Sequence, residues 1–115
     1  MPPERVWKIR ISDILDAIEA IQEYTAGMDF KRFAEDRKTV DAVVRNFIII
    51  GEAAIRIPEQ VVTENPKIPW RDMSDMRNIV VHEYFGVSNK ILWETIQSDL
   101  PPLLPLLQKL LVSKD

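Results

Sequence analysis

The stretch Val43-Val44-Arg45-Asn46-Phe47-Ile48-Ile49-Ile50-Gly51-Glu52-Ala53-Ala54 decides the fold class. A run of one aromatic and three β-branched residues, Phe47 to Ile50, suits a buried strand as readily as a helix. The flanks separate the two. Apolar residues at Val40, Val43, Val44, Phe47, Ile48, Ile50, Ala54 and Ile55 keep helical spacing on both sides, and Ala53-Ala54 follows directly. The pattern predicts a helix from Lys38 to Arg56. Because the central run is apolar almost all round, this helix is expected at the centre of the fold or under a partner.

Working outward, the N-terminal side predicts a long amphipathic helix from Glu4 to Ala26. Trp7, Ile11, Ile14, Leu15, Ile18, Ile21 and Tyr24 form its apolar stripe, and Lys8, Asp13, Asp16, Glu19, Gln22 and Glu23 its polar side. Pro2 and Pro3 suit its start and Gly27 its stop. Asp29 can cap a short helix through Phe30 and Phe33. On the C-terminal side, Pro58, Pro66 and Pro69 interrupt the pattern. Ile57 to Pro69 therefore reads as a connector with one helical turn at Glu59 to Thr63. A third long helix is expected from Trp70 to Tyr84, ended by Gly86. Ser88 can cap the next helix, which takes Ile91, Leu92, Trp93 and Ile96, with Val87 and Leu92 spaced as a hydrophobic staple. Asp99 and Pro101-Pro102 then open a last helix through Leu103, Leu104, Leu106, Leu107, Leu110 and Leu111. No strand pattern competes, so the fold class is all-α.

The chain has 115 residues, which suits a single domain over residues 1–115. Such a domain can bury roughly two thirds of the surface its unfolded chain exposes, so it needs no staples. The absence of cysteine excludes disulfides and thiol nucleophiles and fits a reducing, cytoplasmic setting. No apolar run reaches the roughly 18–20 residues of a membrane span. Met1 to Arg5 lacks a charged-then-apolar signal pattern. A net charge of −3 argues against coating nucleic acid by bulk electrostatics, so any nucleic-acid site must be local or completed by a second subunit. With one histidine and no cysteine, an all-protein zinc site is not expected, and no cofactor is implied.

The chemistry concentrates in Met76-Arg77-Asn78-Ile79-Val80-Val81-His82-Glu83-Tyr84-Phe85-Gly86. At about 100° per residue on an ideal helix, Asp75, Asn78 and His82 share one stripe, and Arg77 and Tyr84 share another, near Val80 and Val81. Arg77 and His82 are about 140° apart on such a helix and do not point at one spot. Two copies of the helix paired about a two-fold axis would let them converge. A guanidinium binds phosphate oxygens in a bidentate way and stabilises charge developing on them. An imidazole moves protons near neutral pH. If RNA supplies its own 2′-hydroxyl as nucleophile, no metal is needed. Asn78 can orient the ring or bind phosphate. The plainer readings stand beside these. A lone helical histidine is more often a surface or capping residue, an arginine among valines usually snorkels, and a tyrosine at a helix end usually packs.

Arg77, His82 and Tyr84, in the order Arg-x-x-x-x-His-x-Tyr, resemble the signature of the HepT-like ribonuclease toxins of the HEPN superfamily. The likeness extends to Asp41-Ala42-Val43, to Ile49-Ile50-Gly51-Glu52-Ala53-Ala54, to Ile68-Pro69-Trp70-Arg71-Asp72-Met73, to Tyr84-Phe85-Gly86-Val87 and to Asp99-Leu100-Pro101. The resemblance implies an up-and-down helical bundle of about four to five main helices, usually homodimeric. It implies metal-independent cleavage of RNA, with Arg77 and His82 of both subunits lining one cleft and Asn78 as the polar residue after the arginine. The implied partner is a minimal nucleotidyltransferase antitoxin that transfers AMP to Tyr84.

Glu52 can reach the cleft as an auxiliary group, against a capping or salt-bridge role. Arg45, Arg56 and Arg71 can lend local positive charge, or be ordinary surface residues. Trp70 and Trp93 can stack on bases, although packing is the commoner role. The principal rival to a ribonuclease is a non-catalytic helical module that presents substrate to, or regulates, a nucleotidyltransferase. A weaker one is a small-nucleotide binder that uses Arg77 without cleavage.

Overall fold

A computed structural model describes residues 3–78 and 89–113. The order is α1 (Pro3–Thr25), α2 (Phe30–Glu35), α3 (Arg37–Ile55), α4 (Glu59–Glu64), α5 (Trp70–Asp75) and a 3₁₀ turn (Met76–Asn78). After the gap come α6 (Asn89–Glu94), a π-helical segment (Thr95–Asp99) and α7 (Leu100–Leu111). Among the described residues there is no strand, and the all-α architecture agrees with a HEPN-like bundle. None of the described helices is long and apolar enough to cross a membrane.

The fold is organised by α1 lying along α3, with α7 on α1 and with α5 and the 3₁₀ turn on α3. The helical reading of Phe47 to Ile50 holds, since the run lies inside a 19-residue helix. The predicted stripe of α1 is buried at Trp7, Ile11, Ile14, Leu15, Ile18 and Ile21. It meets Val40, Val43, Val44, Phe47, Ile50, Ala53 and Ala54 in a core shared with Phe33, Trp70, Met73, Leu92, Leu100 and Leu107. The leucine-rich tail is core on one side, through Leu100, Leu103, Leu107 and Leu110.

Tyr24, Ile55 and Ile91, all assigned apolar positions, are not core, at 44%, 44% and 52% exposed. At the last turns of α1 and α3 it is the adjacent Thr25 and Ala54 that turn inward instead. Ile49, from the run that is apolar all round, is 36% exposed. One face of α3 therefore packs into the core and the other looks outward.

Local chemistry sets most of the ends. Asp29 caps α2 by accepting a hydrogen bond from the Arg32 N–H at 2.8 Å. Asp36 caps α3 by accepting one from the Thr39 N–H at 3.1 Å. That bond is the main cause holding the Asp36 carboxyl below its ordinary pKa. Gly27 follows α1 with a φ of 77°, a left-handed conformation that glycine adopts without strain. The third helix starts at Trp70 as expected, with Pro69 in the N-cap position making no side-chain cap, and the Trp70 indole N–H donates to the Asn65 carbonyl at 3.0 Å.

Where a break was expected before Pro101-Pro102, the chain stays helical from Asn89 to Leu111 by changing helix type. Asp99 adopts helical backbone angles and makes no side-chain cap. The Leu100 N–H instead reaches back to the Thr95 carbonyl, the spacing of a π turn. Pro101 and Pro102 have no N–H, and in an α-helix their rings would press on the carbonyls four residues earlier. Widening the preceding turn relieves that crowding.

Candidate functional site

Two elements build the site, the outward face of α3 and the turn that follows α5. Trp70 and Met73 bury one side of α5, and Met76 continues that burial into the 3₁₀ turn. With Met76 inward, the next two residues, Arg77 and Asn78, lie exposed. Of the helix expected from Trp70 to Tyr84, the described part is α-helical over Trp70–Asp75 and tightens to 3₁₀ at Met76–Asn78. A 3₁₀ turn advances about 120° per residue, so Arg77 and Asn78 are rotated from their places on the ideal wheel.

The tightening coincides with a close approach to α3. A Cβ built on Gly51 would lie 2.5 Å from the Arg77 nitrogen, 2.8 Å from the Arg77 Cβ and 3.0 Å from the Ser74 carbonyl oxygen. Beside this contact, the Arg77 Nη1 is 3.6 Å from Glu52 Oε1. The other oxygen of the same carboxylate, Oε2, is 3.8 Å from Arg56 Nη2, one turn on. The side chains of Arg77, Glu52 and Arg56 are 48%, 46% and 55% exposed. One carboxylate thus sits between two guanidiniums at the surface, and the trio keeps a single positive charge in a chain of net charge −3. Ion pairs this exposed are held weakly and can be exchanged for a better anion.

Of the residues singled out in the sequence, Glu52 and Arg77 are brought together, with Asn78 next to Arg77. His82 and Tyr84 lie outside the described residues, as do Val80, Val81, Gly86 and the expected cap Ser88. Arg45 and Arg71 are exposed. The tryptophans pack as expected: Trp70 is buried, and the half-buried Trp93 ring lies 5.2 Å from that of Phe33. Gly51 is the residue the sequence reading passed over. Its signal was present, as a lone glycine inside a helical pattern points to a close packing or a functional reason.

An all-α protein with a surface guanidinium cluster at the junction of two helical elements is a class with many possible uses. Comparison with known proteins narrows it. The family described as ribonuclease HepT-like matches residues 14–110, and the chain belongs to that family. A probable ribonuclease HepT of Thermococcus cleftensis is 43% identical over 107 residues, covering 93% of this chain and 97% of the relative. A candidate RNase of Methanocaldococcus jannaschii is 33% identical over 86% of this chain and 82% of its own length. Another, of Caldanaerobacter subterraneus, is 38% identical over 81% and 83%. No solved structure matches the chain significantly.

Proposed function

We propose that this protein is the toxin of a toxin–antitoxin pair, a cytoplasmic, metal-independent endoribonuclease that works as a homodimer. The observation that carries the reading is the exposed Arg77 guanidinium beside Asn78, held at the surface of a chain from a ribonuclease family. Arg77 binds the non-bridging oxygens of the scissile phosphodiester and stabilises the charge that builds on them. His82 takes the proton from the ribose 2′-hydroxyl as that oxygen attacks phosphorus. The bond to the 5′-oxygen breaks, and an imidazolium of the composite site returns a proton to it. The products are a 2′,3′-cyclic phosphate and a 5′-hydroxyl. Asn78 assists at the phosphate or at the imidazole. Exposed Ile49 and Ile55, one turn before and one turn after Glu52, support burial of this face against a second copy.

In this reading the partner is a minimal nucleotidyltransferase antitoxin. The Tyr84 hydroxyl attacks the α-phosphorus of ATP, pyrophosphate leaves, and the resulting anionic adduct blocks the cleft by engaging Arg77. A second reading, favoured by the net charge of −3, is a non-catalytic module that pairs with such a nucleotidyltransferase.

The deciding experiment is cleavage of tRNA and mRNA in EDTA by the wild type and by His82→Ala, with Tyr84 confirmed unmodified by mass spectrometry. Cutting by the wild type and at least a hundredfold loss in the variant is the expected result. Equal cutting by both removes His82 from the mechanism. No cutting by either, with bare Tyr84, transfers the conclusion to the binding module.

A further inference from the structure

Gly51 stands inside a 19-residue helix, about one turn before its end, where glycine is the poorest of the ordinary helix formers. Its backbone is not the reason, because the positive φ among the described glycines belongs to Gly27. The missing side chain is. The atoms a Cβ would strike, at 2.5, 2.8 and 3.0 Å, are the Arg77 nitrogen, the Arg77 Cβ and a carbonyl oxygen. None is the free end of a flexible side chain that could swing aside. The next residue along α3 is Glu52, whose carboxylate meets the Arg77 guanidinium. Contact at the backbone and contact at the tip of the same arginine thus come from consecutive residues of one helix.

We propose that Gly51 and Glu52 are positioning residues for Arg77. Gly51 sets the distance between α3 and the 3₁₀ turn, which places the root of the arginine. Glu52, itself shared with Arg56, orients the guanidinium before substrate arrives and gives it up to a phosphodiester. Ordering the arginine in advance lowers the entropy cost of catching the phosphate in a reactive geometry. The weakness of the half-exposed pair serves this role, because a strongly held guanidinium would not exchange. The inference deepens the ribonuclease reading, since it takes Arg77 to be the phosphate-binding group.

The test uses the full chain as Gly51→Ala, Glu52→Gln and Arg77→Lys. Two readouts are combined: the NMR signals of the Arg77 guanidinium, assigned by their loss in Arg77→Lys, and steady-state RNA cleavage. Glu52→Gln should speed rotation of the guanidinium and lower kcat about tenfold with KM unchanged or reduced, because the arginine is freed for phosphate but no longer oriented. Gly51→Ala should shift the Arg77 signals and cost about a hundredfold in kcat, the loss expected for a misplacement of order 1 Å. A merely structural role would lower Tm without this split between kcat and KM. If Gly51→Ala does not fold, Glu52→Gln decides alone. Unchanged Arg77 signals in the folded variants overturn the inference, as does cleavage at the wild-type kcat. If Arg77 responds as expected but the wild type cuts no RNA, the positioning stands and the ribonuclease reading fails.

Discussion

The two faces of α3 make opposite use of the same kind of residue. Phe47 and Ile50 are fully buried against α1 and its neighbours, whereas Ile49 and Ile55 are 36% and 44% exposed on either side of Glu52. The buried face is conventional close packing, where each methylene removed from water contributes stability. The outward face mixes isoleucine with a carboxylate and two guanidiniums, a poor composition for a core and a suitable one for an interface that must also hold charge. Part of the apolar Phe47–Ile50 run serves the core, and in the proposed homodimer a second copy would bury the exposed part.

The comparison breaks most sharply on the buried side. Phe47→Ala should cost about 3–5 kcal/mol of unfolding free energy in urea, the range for truncating a buried phenylalanine. Ile49→Ala, on the outer face, should cost the monomer about 1 kcal/mol or less. A similar loss for both would erase the distinction between the faces. Ile49→Asp with Ile55→Asp sharpens it from the other side. The helical circular dichroism should be retained, while self-association measured by sedimentation weakens at least tenfold. An unchanged sedimentation profile would leave the outward face without a partner.

Smaller effects belong to the helix ends and junctions. Replacing Pro101 and Pro102 together by alanine restores two N–H donors and removes both rings, so the π turn should relax towards α geometry. The Leu100 N–H would then move from Thr95 to Ile96, visible as altered through-hydrogen-bond couplings, with a stability change below about 1 kcal/mol. A π turn that persists would show that tertiary packing, and not proline, maintains it. The smallest effect is at Asp36. Its carboxyl pKa is lowered in the folded state by the Thr39 N–H, so its contribution is present above the ordinary carboxylate pKa and lost as pH falls through the lowered value. Asp36→Asn should slightly flatten the acid limb of a Tm-against-pH profile. An unaltered acid limb would remove the cap from the account.

What the sequence determined by itself is the part of the structure written in local spacing. The 3.6-residue period identified α1 and α3 to within a residue or two and resolved the strand-like run as helix. Asp29 announced its cap because capping involves the backbone three residues on. The charged residues of the cluster were also visible, and Glu52 and Arg56 stand at i,i+4 spacing, but nothing in the spacing joined Arg77 to them. Periodicity says which side of a helix turns inward. It does not say which element arrives there, or how near it comes.

Tertiary structure alone brought Gly51 under the backbone of Arg77 and Glu52 to its guanidinium, because these partners are far apart in the chain, whereas the Glu52–Arg56 pair is one helical turn apart. It also decided that helix type changes at Met76–Asn78, where the 3₁₀ turn accompanies a close backbone approach to α3. The π segment at Thr95–Asp99 is of the other kind, a local answer to the two proline rings that follow it. The approach of α3 to Arg77 depends on where atoms meet after folding, and a one-dimensional pattern of apolar and polar residues carries no term for that distance.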